Sequence, residues 1–356
     1  VTGAGKAALL ALGIVGSACG GRAPDIVPEL TLQESGVAVR LQAVSAVSET
    51  VAWASGLGGT WVRTTDGGVT WTAGVVPGAD TLQFRDVHAV SAEVAYLLAA
   101  GPGGMSRIYK TADGGATWTL QYTNPDPSGF LDCFDFWDAD VGVAFGDAVA
   151  GELAILVTRD GASWERVPRD AVPDALDGEG GFAASGTCVV TVGDAAAYIG
   201  TGNAAPARVL ATTDRGRTWT AVETPAVNGL GRGITSLAFR NAGHGVLAAG
   251  EITDPDWHAD QIAVTDDGGA SWSLAGLPTF PGAIYGVAWV PRAPRPTLVG
   301  TGPNGAAYSF DDGRSWVSLD TANWWGLGFA SPDAGWLAGP EGRIAKVTWR
   351  EAGPRP

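Results

Sequence analysis

Along most of the chain, apolar positions alternate with small or polar ones over stretches of about five to seven residues, and Gly, Asp, Ser or Pro interrupts each stretch. LQAVSAV (41–47), TVAWASG (50–56), TWVRTT (60–65) and WTAGVV (71–76) follow one another in this way. A period of two over so short a span predicts strands joined by tight turns in preference to helices. The same internal order then returns along the chain: an alternating strand, a small-residue strand, a strand that runs into a turn, and a strand that leaves from a tryptophan.

The turn between the third and fourth strands is the most regular feature. Ser/Thr-x-Asp-x-Gly-x-Ser/Thr-Trp occurs in full five times, at 64–71, 111–118, 212–219, 265–272 and 309–316, and once shortened by a residue at 158–164. Its aspartates, Asp66, Asp113, Asp160, Asp214, Asp267 and Asp311, lie 47, 47, 54, 53 and 44 residues apart, which is the period of a four-stranded blade with variable loops. After the sixth turn, NWWGLGFAS, AGWLAG and GRIAKVTW supply three strands of a seventh unit. LTLQES at 30–35, an echo of WTLQYT at 118–123, is the strand that completes it. The expected fold is therefore all-β, a seven-bladed β-propeller closed by its N-terminal strand, a closure that removes free sheet edges. The job of the repeated turn follows from its residues. Small residues permit positive φ, the carboxylate and hydroxyl accept bonds from turn amides, and the tryptophan fills space beneath the hairpin. The six aspartates read as structural fasteners.

These turns resemble the Asp-box, or BNR repeat, of sialidases and related propellers, over residues 29–349. With seven blades in one domain, the chain is most similar to the photosystem II assembly/stability factor family. That resemblance implies a protein-binding scaffold without chemistry of its own. The photosynthetic members of that family present a basic patch to their client, whereas this chain is acidic.

Charge narrows the partners. Twenty-two basic against 37 acidic residues give a net charge of −15, so phosphate backbones and anionic lipid surfaces repel the chain and nucleic acid is not an expected partner. The opening differs from the rest: Lys6 precedes the apolar run AALLALGIVGSA, which stops at Cys19. It reads as an export signal over 1–18, and Gly16-Ser17-Ala18-Cys19 resembles a lipobox, making Cys19 the lipidated residue. A plainly cleaved secretory signal is the alternative. Residues 19–28 are then a linker and 350–356 a tail, in a monomer of the bacterial cell envelope whose membrane contact is the lipid anchor alone. Cys133 and Cys188 remain, either as one disulfide or as two buried thiols.

No dinucleotide fingerprint, phosphate loop or metal-spaced His/Cys set is present, so no cofactor or metal is expected. A sialidase needs an arginine triad and a Tyr–Glu pair, and the Arg-Ile-Pro signature that precedes the first blade of sialidases is absent. Paired carboxylates on different blades keep a glycoside hydrolase as the alternative function. The long insertions 146–152, 166–181, 200–208, 224–233 and 250–261 all fall on the face opposite the Asp-boxes. They gather Asp147, Glu152, Asp170, Asp174, Asp177, Glu179, Glu251, Asp254, Asp256 and Asp260 into an acidic rim, which is either a face for a basic protein segment or simply solvated. His258 lies among these acids. Matching the blades places Gln42, Arg85, Asp132, Thr235, Tyr285 and Trp325 at the channel mouth on that face, where exposed aromatics suit a peptide or a sugar.

Overall fold

The computed structural model describes residue 1 and residues 25–352; the export signal, Lys6 and Cys19 lie outside the described residues. Seven four-stranded antiparallel sheets form the ring. Blade 1 runs from the inner strand Leu41–Ala46 through Ala52–Gly56 and Thr60–Thr64 to the outer strand Thr72–Val75. Blades 2 to 6 repeat this order, with inner strands Phe84–Ala89, Leu131–Phe136, Val189–Val192, Arg232–Phe239 and Gly286–Trp289. In blade 7 the strands Gly326–Ser331, Ala334–Ala338 and Ile344–Glu351 come from the C-terminal end and the outer strand, Ile26–Gln33, from the N-terminal end. This outer strand pairs in continuous register from Ile26 opposite Glu351 to Gln33 opposite Ile344. It starts a few residues earlier than the alternation at 30–35 suggests, because Ile26 is buried with Trp349.

The apolar core is divided among the seams. Seven buried clusters lie one to each pair of adjacent blades, from Trp53, Trp61, Phe84 and Leu97 between blades 1 and 2 round to Leu41, Val62, Trp336 and Ile344 between blades 7 and 1. Each middle strand is covered on both sides. For this reason Ala95–Ala99 and Ala334–Ala338 are buried at every residue, while the outer strands keep an exposed polar side.

The repeated turns do what their residue types require. In the first, Thr64 Oγ1 donates to Asp66 Oδ1 at 2.8 Å and accepts the Gly68 N–H at 2.8 Å. Asp66 in turn accepts the Thr70 N–H at 2.9 Å and the Thr70 hydroxyl at 2.6 Å. Gly67 and Gly68 take φ of 76° and 87°, where a Cβ is strained. The tryptophan seals the seam to the preceding blade: Trp118 packs on Trp53 and Trp61 of blade 1, Trp164 donates to Gln121 of blade 2, and Trp71 donates to Gln33 of blade 7.

The hydroxyls of Thr70 and Ser271 are the largest cause holding the Asp66 and Asp267 carboxyls down at about 2. An unfolded Asp titrates near 4, so this contribution is complete above that pH and is lost as pH falls toward 2. The melting temperature is expected to drop steeply between pH 4 and 2. Asp66→Asn should melt lower at pH 7 and show a shallower acid slope by calorimetry; parallel slopes would contradict the assignment.

Candidate functional site: a channel divided in two

Each inner strand starts at the face opposite the boxes and ends at the box face, so its residues line the channel in order of depth. Residues 180–187, which link blade 3 to blade 4, cross this channel. Arg85 of blade 2 donates from Nη1 to Ala183 O at 3.1 Å, Ser185 Oγ donates to Tyr285 O of blade 6 at 2.6 Å, and Thr187 shares a 2.7 Å hydroxyl contact with Ser236 of blade 5. Phe182, Ala183, Ala184 and Ser185 are all buried. The crossing needs small residues: a Cβ on Gly181 would meet Asp132 at 2.6 Å, and one on Gly186, whose φ is 80°, would meet Asp86 Oδ1 at 2.1 Å. A disulfide joins Cys133 of the blade 3 inner strand to Cys188 at the end of the crossing, with Cα atoms 5.9 Å apart.

Above the crossing, on the face opposite the boxes, lies a hollow of about 210 Å³ bordered by Arg85, Tyr285, Trp325, Phe182, Ala184 and Ile252. It brings together three of the residues that blade matching places at the mouth. The Tyr285 and Trp325 rings stand 4.4 Å apart between centroids, and the Arg40 guanidinium lies 4.2 Å over Trp325. Arg40 was not singled out by the sequence, although it directly precedes the blade 1 inner strand. Its Nε is buried without a hydrogen-bond partner. Burial, and then the charge of Arg40, push Arg85 below its usual value, so two guanidiniums share one partly desolvated mouth.

Asp132, Gln42 and Thr235 lie deeper. Thr235 and Gln42 are fully buried and Asp132 is 2% exposed. Burial pushes the Asp132 carboxyl well up, the neighbouring Asp147 adds to this, and Arg85 opposes it. Burial likewise raises Asp147, whose Oδ1 accepts the Gly181 N–H at 3.1 Å. The two carboxyls are thus roofed by Gly180 and Gly181.

Part of the rim charge is compensated. Arg169 pairs with Glu152 at 2.8 Å and Asp174 at 3.3 Å, Arg232 with Glu251 at 2.7 Å, and Arg208 with Glu179. Asp170, Asp177, Asp254, Asp256 and Asp260 stay exposed. The loop carrying Asp254, Asp256 and His258 leans away from the mouth onto blade 6. There His258 Nε2 donates to Pro278 O at 2.8 Å and Asn304 donates to Pro255 O at 2.8 Å. Among the described residues no group of three or more His, Cys, Asp or Glu is placed to hold a metal ion.

Below the crossing, the box-side half of the channel holds a second hollow of about 320 Å³, with residues 185–187 at its base and His88, Asp86 and Trp289 in its wall. His88 Nδ1 donates to Asp135 Oδ1 at 3.0 Å.

No protein-family model matches the chain, and no curated protein does. Solved structures do match. YCF48 bound to D1 peptide superposes with a TM-score of 0.60 at 17% identity, over 93% of this chain and 96% of that one. YCF48 from Cyanidioschyzon merolae gives 0.62 at 17% identity, over 90% and 98%. The GH74 xyloglucanase from Xanthomonas campestris gives 0.62 at 15% identity, over 91% of this chain and 55% of the enzyme. What they share with it is the fold. That fold serves a peptide-bound propeller in one case and a polysaccharide hydrolase in another, so function has to be argued from the channel.

Proposed function

We propose that this protein is an exported, non-catalytic propeller, a monomer, that captures a segment of a protein partner at the mouth opposite the boxes, with a carboxylate of that segment seated between Arg40 and Arg85. One observation carries the reading: the Arg85 guanidinium and the tilted Tyr285–Trp325 pair border a hollow that no carboxylate lines, and the Arg40 guanidinium lies over the Trp325 ring. Aromatic faces and Arg are the residue types that anchor protein interfaces, and Arg offers a carboxylate two parallel donors. The peptide-bound YCF48 structure supports a peptide as ligand for such a ring. The pairing of Glu152, Asp174, Glu179 and Glu251 supports the mouth over the rim as the binding surface, and the guanidiniums of Arg40 and Arg85 there support an acidic segment over a basic one. The Cys133–Cys188 disulfide supports an oxidising compartment, in keeping with export and an anchor at Cys19.

A glycoside hydrolase requires two carboxyls that reach the sugar from opposite sides. Asp132 and Asp147 are adjacent, but they lie under the 180–181 backbone, which favours the non-catalytic reading. The test is a peptide array with free and amidated C-termini, followed by fluorescence anisotropy. Free-carboxylate peptides are expected to be retained, and Trp325→Ala and Arg40→Ala should each weaken binding about tenfold or more. Release of sugar from a β-glucan that disappears in Asp132→Asn would replace the proposal with the hydrolase.

A further inference from the structure

The box-side chamber is separate from that mouth and has its own chemistry. Its lining is largely apolar, with Val44, Val87, Leu237, Val287 and Trp289 contributing, and among the described residues its ionisable lining groups are Asp86, Asp135 and His88. No Lys or Arg lines it. Asp135 has no capacity left: Oδ1 accepts from His88 Nδ1 and from the Phe136 N–H at 2.8 Å, and Oδ2 accepts from the Thr191 N–H at 2.8 Å and its hydroxyl at 2.9 Å. Asp86 differs. It is 4% exposed, its Oδ2 accepts the Phe134 N–H at 2.8 Å, and its Oδ1 makes no hydrogen bond among the described residues. The bond from the Phe134 N–H accounts for Oδ2 alone, and leaving the other carboxyl oxygen unused in a largely apolar wall costs stability.

We propose that this chamber binds a small organic ammonium, with the nitrogen on Asp86 Oδ1 and an apolar body of about ten non-hydrogen atoms against Val44, Leu237 and Trp289. The size follows from the chamber volume at roughly 30 Å³ per atom, the share of a water molecule in the liquid. His88 Nε2, which makes no hydrogen bond among the described residues, is a second polar contact for the ammonium. Burial, and then the charge of Asp135, push the empty site's Asp86 well above the usual carboxylate range. The titratable groups packed round it are His88 on its own strand and Asp135 on the neighbouring inner strand, with none from residues 185–187. Binding of the cation therefore ionises Asp86 and releases its proton to solvent. Affinity should rise with pH until the amine itself deprotonates.

The experiment is calorimetric titration of the full chain with phenethylamine, 2-phenylethanol and phenylacetate, in two buffers of different protonation enthalpy. Phenethylamine is expected to bind at least about tenfold more tightly than the isosteric alcohol, with net proton release, and phenylacetate to bind least. Asp86→Asn should reduce the amine to the level of the alcohol, and Ala288→Phe, which fills the chamber, should abolish both. Equal affinity for amine and alcohol, or an amine affinity that survives either substitution, overturns the assignment. If Asp86→Asn fails to fold, the three ligands on the unaltered protein and the Ala288→Phe variant decide it.

Discussion

Replacing Glu179 by Ala is expected to destabilise the propeller by about 3 to 5 kcal/mol, the usual cost of removing one partner of a buried ion pair. The Glu179 side chain is completely buried and that of Arg208 is 11% exposed. Arg208 Nε donates to Glu179 Oε1 at 2.9 Å and its Nη2 donates to Oε2 and to Asp174 O, while Thr201 Oγ1 and the Leu176 N–H complete the carboxylate at 2.8 and 2.9 Å. With Glu179 gone, the guanidinium and these donors face a space that water cannot easily enter. Urea denaturation should show the loss as a lower midpoint with an unchanged slope. The double replacement Glu179→Leu with Arg208→Met removes both charges together and is expected to recover most of the stability. If the single variant loses less than about 1 kcal/mol, the pair behaves as an exposed one and its burial has no energetic consequence.

Glu179 stands immediately before residues 180–187, so its loss should also be felt at the mouth, where Phe182 and Ala184 form part of the peptide hollow. This consequence of the fold is one the sequence conceals. The rim reads as a concentration of acids because Glu152, Asp174, Glu179 and Glu251 all fall in insertions on one face. Their partners Arg169, Arg208 and Arg232 stand in or beside the same insertions, with Arg169 in the same loop as Asp174 and Arg232 opposite Glu251 in one hairpin, but the sequence does not say which guanidinium folds back onto which carboxylate. What is local is legible. Thr64, Asp66, Gly68, Thr70 and Trp71 bond one another and the next seam, so their spacing alone reveals their role. Arg85, Tyr285 and Trp325 could be placed by counting from blade to blade, because inner strands start at a common depth.

The crossing could not be found in this way. GGFAASGT has neither strand alternation nor charge, and the small residues that look like linker are required by Asp86 and Asp132, which approach from other blades. Depth was hidden for the same reason. Asp132 matches the mouth by register, yet the 180–181 backbone covers it. The one sequence signal that bears on the crossing is the pair Cys133 and Cys188, which the sequence leaves as a disulfide or two buried thiols and the structure joins between blade 3 and the entry to blade 4.

That staple carries the second large expectation. Replacing both cysteines by Ala should cost about 4 kcal/mol, since the bond closes a loop with a sequence separation of 55 and the chain-entropy relation gives about that value for such a loop. In a protein of this size the melting temperature should fall by roughly 5 °C, and a reductant strong enough to open the bond should reproduce the fall in the unaltered protein. Both sulfur atoms belong to fully buried residues, so the reductant should act slowly on the folded protein. The effect should not be confined to global stability. Glu179 holds the start of the crossing and Cys188 holds its end, and between them Ser185 and Ala183 are tied to opposite sides of the channel. Releasing the end frees the wall that separates the two chambers. Amide hydrogen exchange across 180–187 should then accelerate well beyond the change in the blade strands, and both the peptide at the mouth and the amine below should bind more weakly. A disulfide-free variant that melts lower while 180–187 exchanges no faster than before would mean that the bond acts through the unfolded chain alone and that the hydrogen bonds to Arg85 and Tyr285 suffice to hold the crossing in place.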